Sequence, residues 1–285
     1  MAMKKFSLVV LVLAFLIFAS CKSSPKPEEA GNNIDGLLQD SVEAILERRL
    51  VEYDAMDGVA IVMETESGKI RAKVGLEAKD DSAYARADSL AVSKHSSALM
   101  RTVSVLAALN TGKVKPDDMF DSGVGIFVYD DDTIYDHNWR KGGYGELTLC
   151  QALAYSSDVA ITRAVDEAFP DKKDFLASVR KMSFGQSLEV EGLKVDSCVQ
   201  DSEMPWCYYA MGFQEITPLQ MLAFYNAIAN KDSIASPSSI ANIHGMLEGV
   251  VSKGLAKRAM SDKVKVAGMN GTIPVSYTHL TLPTI

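Results

Sequence analysis

Lys94-His95-Ser96-Ser97-Ala98-Leu99-Met100-Arg101-Thr102-Val103-Ser104-Val105-Leu106-Ala107-Ala108-Leu109-Asn110 is the stretch around which the chain is organised. Its apolar residues Leu99, Val103 and Leu106, with Met100 and Leu109 beside them, recur at intervals of three and four, which makes one buried face of a helix. Ser96 or Ser97 can cap that helix by accepting a first-turn N–H, and Asn110-Thr111-Gly112 ends it. A buried helix therefore begins at a serine pair.

Around it, 285 residues with 47% hydrophobic content supply a substantial core, enough for one large domain or two small ones. With 29 basic against 37 acidic residues and no basic cluster after the first few residues, nucleic acid is excluded as a partner. Cys150, Cys198 and Cys207 form no CxxC pair and have no His at ligand spacing, so neither zinc nor any other metal or cofactor is expected. Cys198 and Cys207 either close a short disulfide loop or are buried small hydrophobes. Asp130-Asp131-Asp132 lacks the alternation, central Gly and distal Glu of a calcium loop and reads as solvated.

Lys4-Lys5, the apolar run from Phe6 to Phe18 and then Ala19-Ser20-Cys21 read as a secretory leader over 1–21. Cys21 after two small residues is the expected lipidation site of a bacterial lipoprotein, which would anchor the domain to a membrane outside the cytoplasm, in the cell envelope. Lys22 to Asn33, rich in Ser, Pro, Glu and Gly, is a flexible linker over 22–33. A folded domain over 34–274 follows. It opens with an amphipathic helix from Ile34 to Arg49, whose apolar residues are Leu37, Leu38, Val42, Ile45 and Leu46. A hairpin follows, Gly58 to Glu64 and Ile70 to Val74 around a Ser-Gly turn.

The segment from Phe127 to Gly145 is polar and reads as a loop, with His137 in it as an ordinary loop residue. Leu147 to Ala160 begins a helix, breaks at Ser156-Ser157 and restarts. Asp171 to Met182 is a helix that contains Ser178-Val179-Arg180-Lys181, with Ser178 on its surface. Thr217 at N-cap and Pro218 at the first position start a helix that faces Leu219, Leu222, Ala223 and Ile228 to the core. Ser239 to Val251 is the next helix, and Val264 to Thr272 reads as an edge strand.

The words Leu106-Ala107-Ala108-Leu109-Asn110-Thr111-Gly112-Lys113-Val114-Lys115-Pro116-Asp117-Asp118-Met119-Phe120-Asp121 and Ala210-Met211-Gly212-Phe213-Gln214-Glu215-Ile216-Thr217-Pro218-Leu219-Gln220 closely resemble the transpeptidase domain of penicillin-binding proteins, in the β-lactamase/D,D-peptidase superfamily. The resemblance runs from about Gly58 to Thr272. It implies an α/β fold with a β-lactamase/transpeptidase-like antiparallel sheet flanked by helices. It also implies peptidoglycan metabolism in the cell wall, with a stem peptide or cell-wall proteins as partners. Val275 to Ile285 does not resemble the family and reads as a non-native, adapter-derived tail over 275–285. The domain is accordingly expected to be C-terminally truncated, without its closing strand and helix.

Counting back from Leu106, the family's lysine falls on Arg101 and its nucleophilic serine on Ala98. The second motif, Ser-x-Asn, reads Ser156-Ser157-Asp158. The third, Lys-Thr-Gly, reads Met269-Asn270-Gly271. In the family the first-motif lysine takes the serine proton, the second-motif serine relays it, the asparagine holds the substrate amide, and the third-motif lysine attracts a carboxylate. Ala98 has no hydroxyl, and arginine, with a pKa above about 12, is no base at neutral pH. Arg101 and Asp158, which the resemblance implies lie side by side, are expected to pair with each other instead. The reading is a degenerate transpeptidase-like lipoprotein, a pseudoenzyme that binds or regulates. Two alternatives stand beside it. One is an active serine D,D-transpeptidase or carboxypeptidase using Ser97, and the other is a structural assembly partner with a filled-in cleft.

Overall fold

A computed structural model describes residues 33–79, 83–87, 94–95, 99–129, 132–190, 192–198 and 215–271. Cys21, Ser96, Ser97, Ala98, Cys207 and the 275–285 tail lie outside them. Two layers carry the chain. One is a three-stranded antiparallel meander of β1 (Asp57–Met63), β2 (Ile70–Ala78) and β3 (Tyr84–Arg86). The other is a helical body built around α2 (Met100–Asn110).

The meander has helices on both faces because β1 alternates. Val59, Ile61 and Met63 point one way with Ile70 of β2, and pack against Leu219 and Leu222. Both leucines belong to α6 (Pro218–Asn230). On the other face lies α1 (Gly36–Glu52), capped by Asp35, whose Oδ1 accepts from Leu38 N at 3.0 Å. Gly58 is where this helix comes closest: a Cβ there would stand 2.7 Å from Leu50 Cδ2. The buried stripe of α1 differs from the expected one. Of the expected residues Leu37 is 84% and Ile45 50% exposed, while Leu46 is buried and Val42 half-buried, and Leu50 joins them against Ala55, Val74 and Leu76. The sheet meets the later turns of the helix, so a stripe of spacing four, ending beyond the expected boundary, does the packing.

In the helical body, α2 contacts α4 (Asp158–Ala168), α5 (Lys172–Lys181) and α7 (Pro237–Ser252), and α3 (Leu149–Ala154) packs on α7. Short antiparallel pairs join these parts: β4 (Lys94–His95) with β11 (Glu215–Ile216), β5 (Met119–Asp121) with β8 (Glu146–Thr148), and β9 (Leu188–Val190) with β10 (Leu193–Val195). The pairing of Ile216 with Lys94 sets the start of α6 beside the approach to α2.

Two other expectations are corrected. The polar segment after Phe127 is not all loop. β6 (Ile126–Tyr129) and β7 (Asp132–Tyr135) pair antiparallel, which sets Phe127 opposite Ile134, and cross-strand pairing stabilises the two strands. The described part of the expected edge strand, 264–271, forms no strand. Gly268 N donates instead to Leu247 O on α7 at 3.2 Å, so a helix carbonyl takes the place of a partner strand. Among the described residues Cys150 and Cys198 are free thiols, both half-buried and both pushed up in pKa by burial.

Candidate active site

The site is built on the buried helix. From Met100 to Leu109 every residue of α2 is buried, including Arg101 at 9% exposure. A guanidinium taken out of water without a counter-charge would cost on the order of several kcal/mol. Asp158, the first residue of α4, supplies the charge: Arg101 Nε donates to Oδ1 at 2.7 Å and Nη2 to Oδ2 at 2.9 Å. This two-pronged geometry occupies both carboxylate oxygens and fixes the planes of both groups. Among the described residues α2 starts after Leu99, at the N-cap without a side-chain cap bond. The serines expected to cap it lie outside the described residues.

Asp158 is placed by the turn between α3 and α4. Thr148 and Gln151 form a capping box that starts α3, and the helix stops where Ser156 turns to a φ of 54°, a left-handed conformation that ends a helix in a single residue. Ser157 then restarts the chain as the N-cap of α4, its Oγ accepting from Ala160 N at 3.1 Å. A carboxylate at the first position of α4 also meets the positive end of the helix dipole. The Ser156 hydroxyl is buried and has no hydrogen-bond partner among the described residues.

A further carboxylate, absent from the sequence-based assignment, completes this corner. Asp136, fully buried just past β7, accepts from Ser157 Oγ at 2.8 Å and from Val159 N at 3.0 Å. Burial is the main cause that pushes its pKa above the usual aspartate range. The neighbouring Asp158 charge pushes the same way, and the bonds from Val159 and Ser157 oppose them. Beside it the Tyr144 ring stacks on Tyr155 with centroids 5.5 Å apart, and its hydroxyl meets His137 Nε2 at 3.0 Å. Burial first, then the charges of Asp136 and Tyr155, raises the Tyr144 phenol.

The structure therefore brings together Arg101 and Asp158, with Ser156 two residues before Asp158 in the turn that leads into α4. Of the third-motif residues, Met269 is half-buried and packs against the main core, Asn270 is exposed, and Gly271 is half-buried. Ser178, as expected, is a helix residue, on α5 and partly exposed. No group of three or more His, Cys, Asp or Glu able to hold a metal is present among the described residues.

The family model of the penicillin-binding protein transpeptidase domain matches residues 58–276. The fold is similar to the apo transpeptidase domain of penicillin-binding protein 3 from Burkholderia pseudomallei, with a TM-score of 0.71 and 20% identity over 87% of this chain and 78% of that one. It is also similar to a peptidoglycan glycosyltransferase from Burkholderia ambifaria, with a TM-score of 0.69 and 19% identity over 85% of this chain and 81% of that one. By sequence, the chain is 27% identical to penicillin-binding protein 1A of Aquifex aeolicus, over 87% of this chain and 35% of that protein, so it spans about a third of the relative's length. An α/β domain with an antiparallel sheet between helices is the class that this architecture defines. The chain belongs to the penicillin-binding protein transpeptidase family.

Proposed function

We propose that this chain is a cell-envelope lipoprotein whose transpeptidase-like domain does not carry out acyl transfer and acts in peptidoglycan metabolism by binding or regulation. The observation that carries this reading is the ion pair between Arg101 and Asp158. Acyl transfer to a serine needs a hydroxyl nucleophile and a group that can take its proton. At the family's lysine position stands a guanidinium, which does not give up its proton at neutral pH and is already committed to a carboxylate. Ala98 offers no hydroxyl at the nucleophile position. Met269, at the position of the carboxylate-attracting lysine, is apolar and packs on the core. On this reading, a ligand approaching the family's motif positions meets a neutralised ion pair and an apolar side chain in place of two free cations.

The remaining organisation belongs to the same proposal. Residues 1–21 are the leader, Cys21 carries the lipid, 22–33 is the tether, and 275–285 is non-native. The family's stem-peptide chemistry suggests peptidoglycan or a cell-wall protein as the partner.

Incubating the purified protein with a fluorescent penicillin, followed by intact-mass analysis, tests the reading. The expected outcome is no covalent adduct, either in the natural chain or in the Ala98→Ser/Arg101→Lys double variant, because Asp158 and Met269 remain. An adduct on Ser97 would establish the active serine enzyme instead, and turnover by the double variant would overturn this account of the cleft.

A further inference from the structure

Asp136 is used by none of the chemistry above, yet it is a fully buried carboxylate at the corner that holds the ion pair. It ties two elements distant in sequence. Its own backbone belongs to the end of the β6–β7 hairpin, with its N–H donating to Gly125 O at 2.9 Å and its carbonyl accepting from Trp139 N at 3.1 Å. Its side chain holds the N-terminus of α4 through Ser157 and Val159. We propose that Asp136 is a proton-sensitive clasp, joining the β6–β7 hairpin to α4, whose charge sets how firmly Asp158 pairs with Arg101.

The geometry gives the mechanism. Two carboxylates crowd one helix N-terminus, on either side of Ser157, and of the two only Asp158 has a cation hydrogen-bonded to it among the described residues. While Asp136 is ionised it repels the Asp158 charge. It also competes for the same helix end, where Val159 N–H already points at Asp136. A proton from solvent on Asp136 Oδ2 reverses its bond to Ser157. The new O–H donates to Ser157 Oγ, and the serine proton swings to another acceptor. The bond from Val159 N to Oδ1 is retained, the repulsion ends, and Asp158 is left to Arg101 alone.

The titratable and charged groups that face Asp136 are Asp158 at the start of α4 and Tyr144 before β8. Arg101 on α2 stands behind Asp158, and His137 stands behind the Tyr144 hydroxyl. The raised phenol of Tyr144 places it within the field of the Asp136 charge as well.

Carboxyl-carbon NMR of the full chain in detergent, titrated with acid, tests this. The Asp136 carboxyl is expected to titrate above the ordinary aspartate value of about 3.9. The Asp158 carboxyl and Arg101 Nε resonances are expected to inflect at that same midpoint. Asp136→Asn, which preserves the shape and the bond from Val159, should abolish the inflection at Arg101. Ser157→Ala removes a donor that favours the charged form and should shift the Asp136 midpoint upward. A normal Asp136 midpoint, or an Arg101 signal unmoved at that midpoint in the natural chain, overturns the proposal. So does an unchanged inflection in Asp136→Asn. The proposal does not depend on the cleft being inactive, since a penicillin adduct would leave this titration as it is.

Discussion

The N-termini of α6 and α4 are closed by the same device, a hydroxyl at the N-cap, but the supporting groups come from different distances. At α6 the work is local. Thr217 and Gln220 form a capping box three residues apart, and Pro218 sits at the first position. Gln220 Nε2 then donates to the carbonyls of Gln186 at 3.0 Å and Asp196 at 2.9 Å, which anchors the helix to the β9–β10 region. At α4 the cap is Ser157, but its hydroxyl is claimed by Asp136, twenty-one residues upstream, and the next residue pairs with Arg101, fifty-seven residues upstream. One helix end is set by its own sequence. The other is set by charges that only the tertiary fold brings together, so α4 should be the electrostatically fragile end and α6 the robust one.

The widest separation between the two ends is expected on breaking the pair. Arg101→Ala leaves Asp158 without its cation, and Asp158→Ala leaves a buried guanidinium. Each should destabilise the domain by about 3 kcal/mol, because an orphaned buried charge costs more than the pair contributes. Chemical denaturation of both single variants and the double variant closes the cycle, and the double is expected to be less destabilised than the sum of the singles. Strict additivity would mean that the pair carries no coupling and that α4 is held by Asp136 and Ser157 alone.

A smaller effect is expected at the local cap. Thr217→Ala removes the hydroxyl that accepts from Gln220 N and should cost about 1 kcal/mol, the ordinary loss for a helix cap. For a domain of this size that is a fall of roughly 2–4 °C in melting temperature. The loss should not change with salt, whereas the penalty at Arg101 should. A Thr217→Ala loss as large as that at Arg101 would mean that the anchoring to Gln186 and Asp196, and not the cap, dominates at α6.

The same contrast explains what could be read from the sequence. The capped start of α6, the break of α3 at Ser156-Ser157 and the meander opening at Gly58 are local patterns of spacing and turn chemistry, and each is found where expected. Opposite charges at Arg101 and Asp158, positions brought together by the family resemblance, also pointed to their pairing. Asp136 was not legible, because nothing within one helical turn marks an aspartate in a polar segment as buried. Its partners are reached only after the β6–β7 hairpin folds over α4. The stripe of α1 was misplaced for a related reason. Periodicity says that a face is apolar, but which turns of it are covered depends on where the sheet lies. The absence of a strand at 264–271 likewise reflects the partner, a carbonyl at Leu247, and not the β-propensity of the segment.

The smallest expected effect is a slope with pH. A folded Asp136 with a raised pKa keeps a proton that the unfolded chain releases at about 3.9. Below that value both states are protonated and burial of the carboxyl carries no ionisation cost. As pH rises from there through the folded pKa, the unfolded state binds fewer protons than the native state, so stability falls with rising pH across that window, and the whole cost is present above it. Glu43 and Glu64 act in the opposite sense and lower in the scale. Hydrogen bonds, from Arg86 to the first and from Ser67 to the second, hold these carboxyls below the usual glutamate value, so their contribution is lost as pH falls through their own folded values. The difference between the natural chain and Asp136→Asn therefore isolates the clasp. Denaturation midpoints of the two should diverge as pH rises above about 4, with the variant gaining on the natural chain, and should run parallel below it. The cap of α6, made of a threonine and a glutamine, holds no ionisable group, so Thr217→Ala should shift the whole profile without bending it. A bend in that variant, or parallel curves for Asp136→Asn, would remove the difference between the two helix ends.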